Sequence, residues 1–144
     1  MVFVPDARVY HWGHARNLGT YLERKFRIGY WKALVIRRYP NKIARDSHTP
    51  QTLKAQILLV GLGLFGLVGA VRWPSLVWAS LAAGSAFVLT TLPFVARAWR
   101  KDRPVAIVAP GLLFARALAL GAGLAVGLVA NLATELGIGG DESA

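Results

Sequence analysis

From residue 53 onward the chain alternates long apolar runs with short polar breaks. The first run, LKAQILLVGLGLFGLVGAV, covers residues 53–71, and its Lys54 and Gln56 sit in the first turn, within reach of lipid headgroups. The second covers 75–96 and is interrupted only by Pro93, which a membrane helix tolerates. The third extends from about 105 to 136. Each offers at least about 20 residues, or roughly 30 Å as helix, which matches the hydrocarbon core of a bilayer. The pattern therefore predicts three transmembrane helices. Between the first two, Arg72-Trp73-Pro74 reads as an interfacial turn with its indole in the aromatic belt.

A different periodicity precedes them. In TYLERKFRIGYWKALVIRR (20–38) and just before it, Leu18, Leu22, Phe26, Tyr30, Ala33 and Leu34 recur at three- and four-residue spacings, which sets them on one helix face. Arg24, Arg27, Lys32, Arg37 and Arg38 fill much of the remainder. The spacing predicts a helix from about Asn17 to Tyr39, stopped by Pro40. Its character is that of an interfacial helix, with the apolar stripe in the acyl boundary and the cations near lipid phosphates. Tyr30, Trp31 and Tyr39 suit interfacial anchors, and Arg24 and Arg27 suit headgroup contacts. Gly29, in the middle, marks either a bend or a close contact.

At the start, VFV and ARVYH around Pro5-Asp6 read as two short strands (2–11). Two strands alone are barely stable in water, so this pair calls for a sheet supplied from elsewhere. Residues 12–17 form a polar connector, 41–48 a charged link, and Thr49-Pro50 a helix start with a capping hydroxyl and Pro at the first helical position. The fold expected is a mainly α membrane protein, divided into a short β-hairpin remnant (1–16), one basic interfacial amphipathic helix and its link (17–48), a three-helix transmembrane region (49–136) and an acidic tail (137–144).

Charge changes the picture in one respect. The 144 residues carry a formal +10, which by itself raises nucleic acid as a partner. Eleven of the 17 Lys and Arg, however, precede Ala55 against three acids, a net of +8 massed beside the apolar spans. That asymmetry follows the positive-inside rule and argues against a nucleic-acid role. With three crossings, the +8 segment and the +3 loop of residues 97–103 share one side, read as cytoplasmic, and the acidic tail lies outside. The sequence lacks cysteine, which excludes disulfides and thiolate metal sites, and the first residues lack a signal-peptide pattern.

Few residues carry candidate chemistry. Arg116 interrupts the third span, where a central Arg costs about 2.5–3.5 kcal/mol and each Leu, Val or Phe returns about 0.3–0.6. It reads either as a snorkelling side chain or as a lipid-phosphate contact. Ala119, Gly123 and Gly127 form a small-residue stripe suited to close helix packing. His11 and His14, three positions apart without further ligands, are a weak metal signal and also suit a plain polar connector.

The order VFVPDARVYHW, TYLERKFRIGYW, RRYPNKIARDSHTPQTLKAQ and then membrane spans resembles the C-terminal part of bacterial membrane-bound family-2 glycosyltransferases, of the exopolysaccharide or lipid-linked-sugar type. The motif likeness covers roughly residues 2–56, and the remainder is similar only in hydropathy. The resemblance implies that His11 closes the last strand of a nucleotide-sugar-binding GT-A domain, near the metal-bound diphosphate of the donor. Arg24 and Arg27 match the ends of a QxxR-type motif that contacts acceptor and phosphate, although Arg24 replaces Gln. Ile28 stands where processive members have Trp, and Tyr30 and Trp31 offer aromatic surface two or three residues late, which favours single-sugar transfer over polymerisation.

Such transfer needs a general base and usually a divalent cation, here Mg or Mn, on the leaving diphosphate. Asp6, Glu23 and Asp46 are scattered and suit turn, surface and link roles. The chain is therefore expected to be the membrane half of an enzyme that was truncated, split or repurposed, with no cofactor of its own. Its expected partners are membrane lipids, a GT-A catalytic domain and a lipid-linked acceptor, at a bacterial inner membrane. The alternative is a non-catalytic accessory subunit of a larger membrane complex.

Overall fold

The computed structural model describes residues 17–39 and 50–136. Among them the chain forms four helices and no strand: α1 (Leu18–Arg38), α2 (Gln51–Ala70), α3 (Leu76–Trp99) and α4 (Arg103–Glu135). The strand pair expected over residues 2–11, His11 and the acidic tail lie outside the described residues.

The helix ends follow from local chemistry. Asn17 caps α1, its Oδ1 accepting from the Thr20 amide and hydroxyl, both at 2.8 Å. Arg37 and Arg38 occupy the last turn, where the helix dipole favours cations. At α2 the outcome differs from the expected Thr49 cap. Pro50 itself is the N-cap, with ψ of 140° and no side-chain capping bond. That extended backbone puts Pro50 before the helix, so helical geometry starts at Gln51. Asp102 caps α4, accepting from the Val105 amide at 3.3 Å. Pro104 sits in the first turn, where a missing N–H is harmless. Pro93 and Pro110 are carried inside α3 and α4.

The helices α2, α3 and α4 are each long and apolar enough to cross a membrane. Most of their bulk faces outward: only 17%, 22% and 22% of the most apolar windows are buried, and Phe65, Val68, Trp78 and Ile107 are among the exposed side chains. In water such a surface would drive aggregation, whereas lipid satisfies it. These features mark the chain as a membrane protein.

Two pairings organise the helices. The first is the α2–α3 hairpin. Gly66 lies against Ser80 and the Leu76 carbonyl, and buried Gln56 donates from Nε2 to Thr90 Oγ1 at 3.1 Å. Helix α4 meets this hairpin at a small buried cluster of Val60, Phe87 and Ala117, flanked by Ile57, Leu59 and Leu113. Phe87 and Phe114 meet there edge to face at 5.8 Å. The second pairing joins α1 to α4, the only helix that α1 touches among the described residues.

Candidate functional site

The α1–α4 seam is built from absent side chains. A Cβ on Gly29 would strike the Leu120 carbonyl oxygen and stand 3.0 Å from the Leu124 nitrogen. One on Gly123 would strike the Phe26 carbonyl, and one on Gly127 would lie 2.6 Å from the Tyr30 oxygen and 2.8 Å from Ala33 Cβ. Further along, Arg37 Nη1 donates to the Asn131 carbonyl at 3.3 Å. Residue numbers rise together on both helices, so the two run parallel. Glycine permits this backbone-to-backbone approach, which in lipid replaces hydrophobic burial as the source of association.

The seam keeps the middle of the apolar stripe read from the sequence, since Phe26, Tyr30 and Ala33 all lie against α4, and leaves two of its leucines outside. Leu18 and Leu34 are 51% and 37% exposed, while Gly29 and Ala33 are buried. The closest approach runs through Gly29 on that face, because it selects the smallest residue rather than the most apolar one. The close contact expected at Gly29 is present, and the stripe through Gly123 and Gly127 finds its partner in α1. An interfacial helix covered by lipid alone would have no such neighbour.

With about 100° per residue, Arg24, Arg27 and Trp31 fall together on the side of α1 turned away from the seam. All three are exposed, Trp31 by 59%, with Tyr30 edge-on to its ring at 5.5 Å. Arg116 lies elsewhere. It stands on the seam face of α4, in line with Leu120, Gly123 and Gly127, half-buried, and its Nε is buried with no hydrogen-bond partner.

Sequence reading passed over the residue that meets it. Lys25 is one turn before Gly29, as Arg116 is one turn before Leu120, and Gly29 touches Leu120. Burial lowers the Lys25 pKa from its usual 10.5, with further lowering by the charges of Arg116 and Arg24. Its Nζ lies 5.1 Å from the centre of the Tyr21 ring. The available signal was the four-residue offset from Gly29, which becomes informative only once the partner helix is known.

Among the described residues no group of three or more His, Asp or Glu converges. The arrangement therefore offers two cationic features: an outward face of Arg24, Arg27 and Trp31, and a seam pair of Lys25 and Arg116. Compared with protein-family models, curated proteins and solved structures, the chain finds no match.

Proposed function

We propose that this chain is the membrane-anchoring, acceptor-presenting module of a family-2 glycosyltransferase, one that transfers a sugar from a nucleotide sugar to a lipid-linked or polysaccharide acceptor. The reading rests on one observation above all. The exposed Arg24, Arg27 and Trp31 share one face of α1, and the glycine seam on the opposite face packs that helix against a membrane span. Such a face can contact acceptor phosphate through guanidinium groups while an aromatic ring supports sugar or headgroup. The catalytic GT-A domain and its Mg or Mn belong to a partner or an adjoining segment, and the proposed setting is a bacterial inner membrane.

The test is purification of the full chain from its native membrane, followed by an assay for transfer of labelled sugar from nucleotide sugars to lipid. Transfer should co-purify, and Arg24→Ala with Arg27→Ala should lower it at least tenfold while the chain stays in the membrane. Failure of any sugar-transferring activity to co-purify would overturn the reading.

A second reading, a non-catalytic accessory subunit, draws on the same seam. Four of its contact points, Gly29, Ala33, Gly123 and Gly127, are glycine or alanine, which serve packing rather than chemistry. It expects Arg24→Ala and Arg27→Ala to leave function intact and substitutions at Gly123 or Gly127 to disrupt assembly.

A further inference from the structure

The contact of Gly29 with Leu120 fixes the register of two parallel helices, and that register has an electrostatic consequence. One turn back on each helix stand Lys25 and Arg116, both part-buried and on the edge of the same seam. Two cations facing each other as water is withdrawn repel more strongly than they would in solvent. Among the described residues, the charged groups acting on Lys25 are Arg116 and Arg24, both positive. Glu23, the carboxylate of α1, is exposed. The Arg116 Nε, buried and without an acceptor, is a donor awaiting an oxygen.

We propose that Lys25 and Arg116 form a binding site for a phosphate-bearing anion lodged in the α1–α4 seam. The chemistry selects phosphate. Guanidinium presents a planar fork that pairs two oxygens, and ammonium adds a compact charge beside it. A singly charged halide would leave the fork's directional donors unmatched. The anion also removes the repulsion that the packing imposes, so binding and α1 docking reinforce each other. The site requires only the seam register and stands whether or not the chain serves sugar transfer.

The test uses the full chain and the reactivity of its own lysines. Acetic anhydride labelling of Lys25, read by mass spectrometry against exposed Lys101, is measured in three settings: neutral detergent with and without inorganic pyrophosphate, phosphatidylcholine nanodiscs, and nanodiscs containing phosphatidylglycerol. Occupation should protect Lys25 at least fivefold and leave Lys101 within twofold. Protection by pyrophosphate in detergent assigns a soluble phosphate compound, and protection only with phosphatidylglycerol assigns a lipid headgroup. Arg116→Gln should abolish protection, and Arg116→Lys should retain part of it, which separates loss of the site from loss of fold. Equal protection of both lysines, protection that survives Arg116→Gln, or none in any setting would overturn the proposal.

Discussion

Gly123→Ala puts the α1–α4 seam to its most direct test. The added methyl runs into the Phe26 carbonyl oxygen, with the carbonyl carbon at 2.8 Å and Cα at 3.1 Å. These are backbone atoms and cannot rotate away, so the helices must separate. A gap on the order of 1 Å forfeits a quarter to a half of the dispersion attraction between facing atoms. Overpacking of this kind costs about 1–3 kcal/mol, and the better helix propensity of Ala offsets about 1 kcal/mol. A net loss of up to about 2 kcal/mol raises the undocked population of α1 by up to roughly 30-fold. Limited trypsin digestion reads that population, because α1 contains six Lys or Arg and cleavage tracks opening when reclosing is fast. The substitution is on one helix and the readout on another, so altered cleavage chemistry is not a concern. Gly84→Ala and Gly111→Ala, whose new methyls meet nothing within 4 Å, serve as controls. Equal cleavage within α1 in Gly123→Ala and Gly84→Ala would refute the glycine-seam argument.

Other consequences follow from single contacts. Because the Lys25 pKa is lowered below 10.5, the docked state sheds its proton first as pH rises, and between the two values the undocked chain binds more protons. Docking therefore strengthens with rising pH toward 10.5, seen as falling cleavage within α1 normalised to a peptide substrate, and Lys25→Met should flatten that dependence. Asp102→Ala removes the cap that accepts from Val105 and should cost about 1 kcal/mol in detergent unfolding followed by circular dichroism. Asp102→Asn should restore it, since Asn caps equally well. A double-mutant cycle of Gln56→Ala with Thr90→Val should give a coupling of about 0.6 kcal/mol, typical of hydrogen bonds between membrane helices, and zero coupling would deny the bond.

The spans were legible because hydropathy and proline act locally. The run read as 53–71 is α2 at Gln51–Ala70, and the third run, read as 105–136, is α4 at Arg103–Glu135. The second run extends three residues further than read, to Trp99, because Arg97, Ala98 and Trp99 continue the helix into the boundary instead of ending it. Asp102 was hidden in a basic loop, where its charge drew notice and its capping oxygen did not. The covered face of α1 was legible in part, since Phe26, Tyr30 and Ala33 of the apolar stripe do meet α4, while the depth of the approach at Gly29 was not. Hydropathy credits Leu18 and Leu34, yet the seam selects Gly29 for its lack of a side chain, and that preference depends on a partner more than 90 positions away. Lys25 escaped on the same ground, since a cation on an amphipathic helix is assigned to water until a second helix covers it.

The pairing of α1 with α4 also constrains how the molecule meets the bilayer. Arg24, Arg27 and Arg38 are exposed on the side of α1 away from the seam. Immersing the three in hydrocarbon would cost about 8–10 kcal/mol at roughly 2.5–3.5 each. A packed glycine seam cannot offset that, since helix association in lipid draws on close contact rather than on hydrophobic burial. The outer face of α1 must therefore meet headgroups or water while its inner face stays on α4. Because α1 lies along residues 120–131, this sets it at the end of the span away from the 97–103 loop, against the shared side read from the charges, and α4 has the length to allow it. Its 33 residues span about 50 Å, some 20 Å more than the hydrocarbon core, and tilt or overhang takes up the excess. Lacking native cysteine, the chain permits a clean check through a single Trp31→Cys. That thiol should react with a membrane-impermeant maleimide in open nanodiscs as fast as one at exposed Lys101. Labelling slowed tenfold or more would bury the cationic face in lipid and break the link between seam and surface.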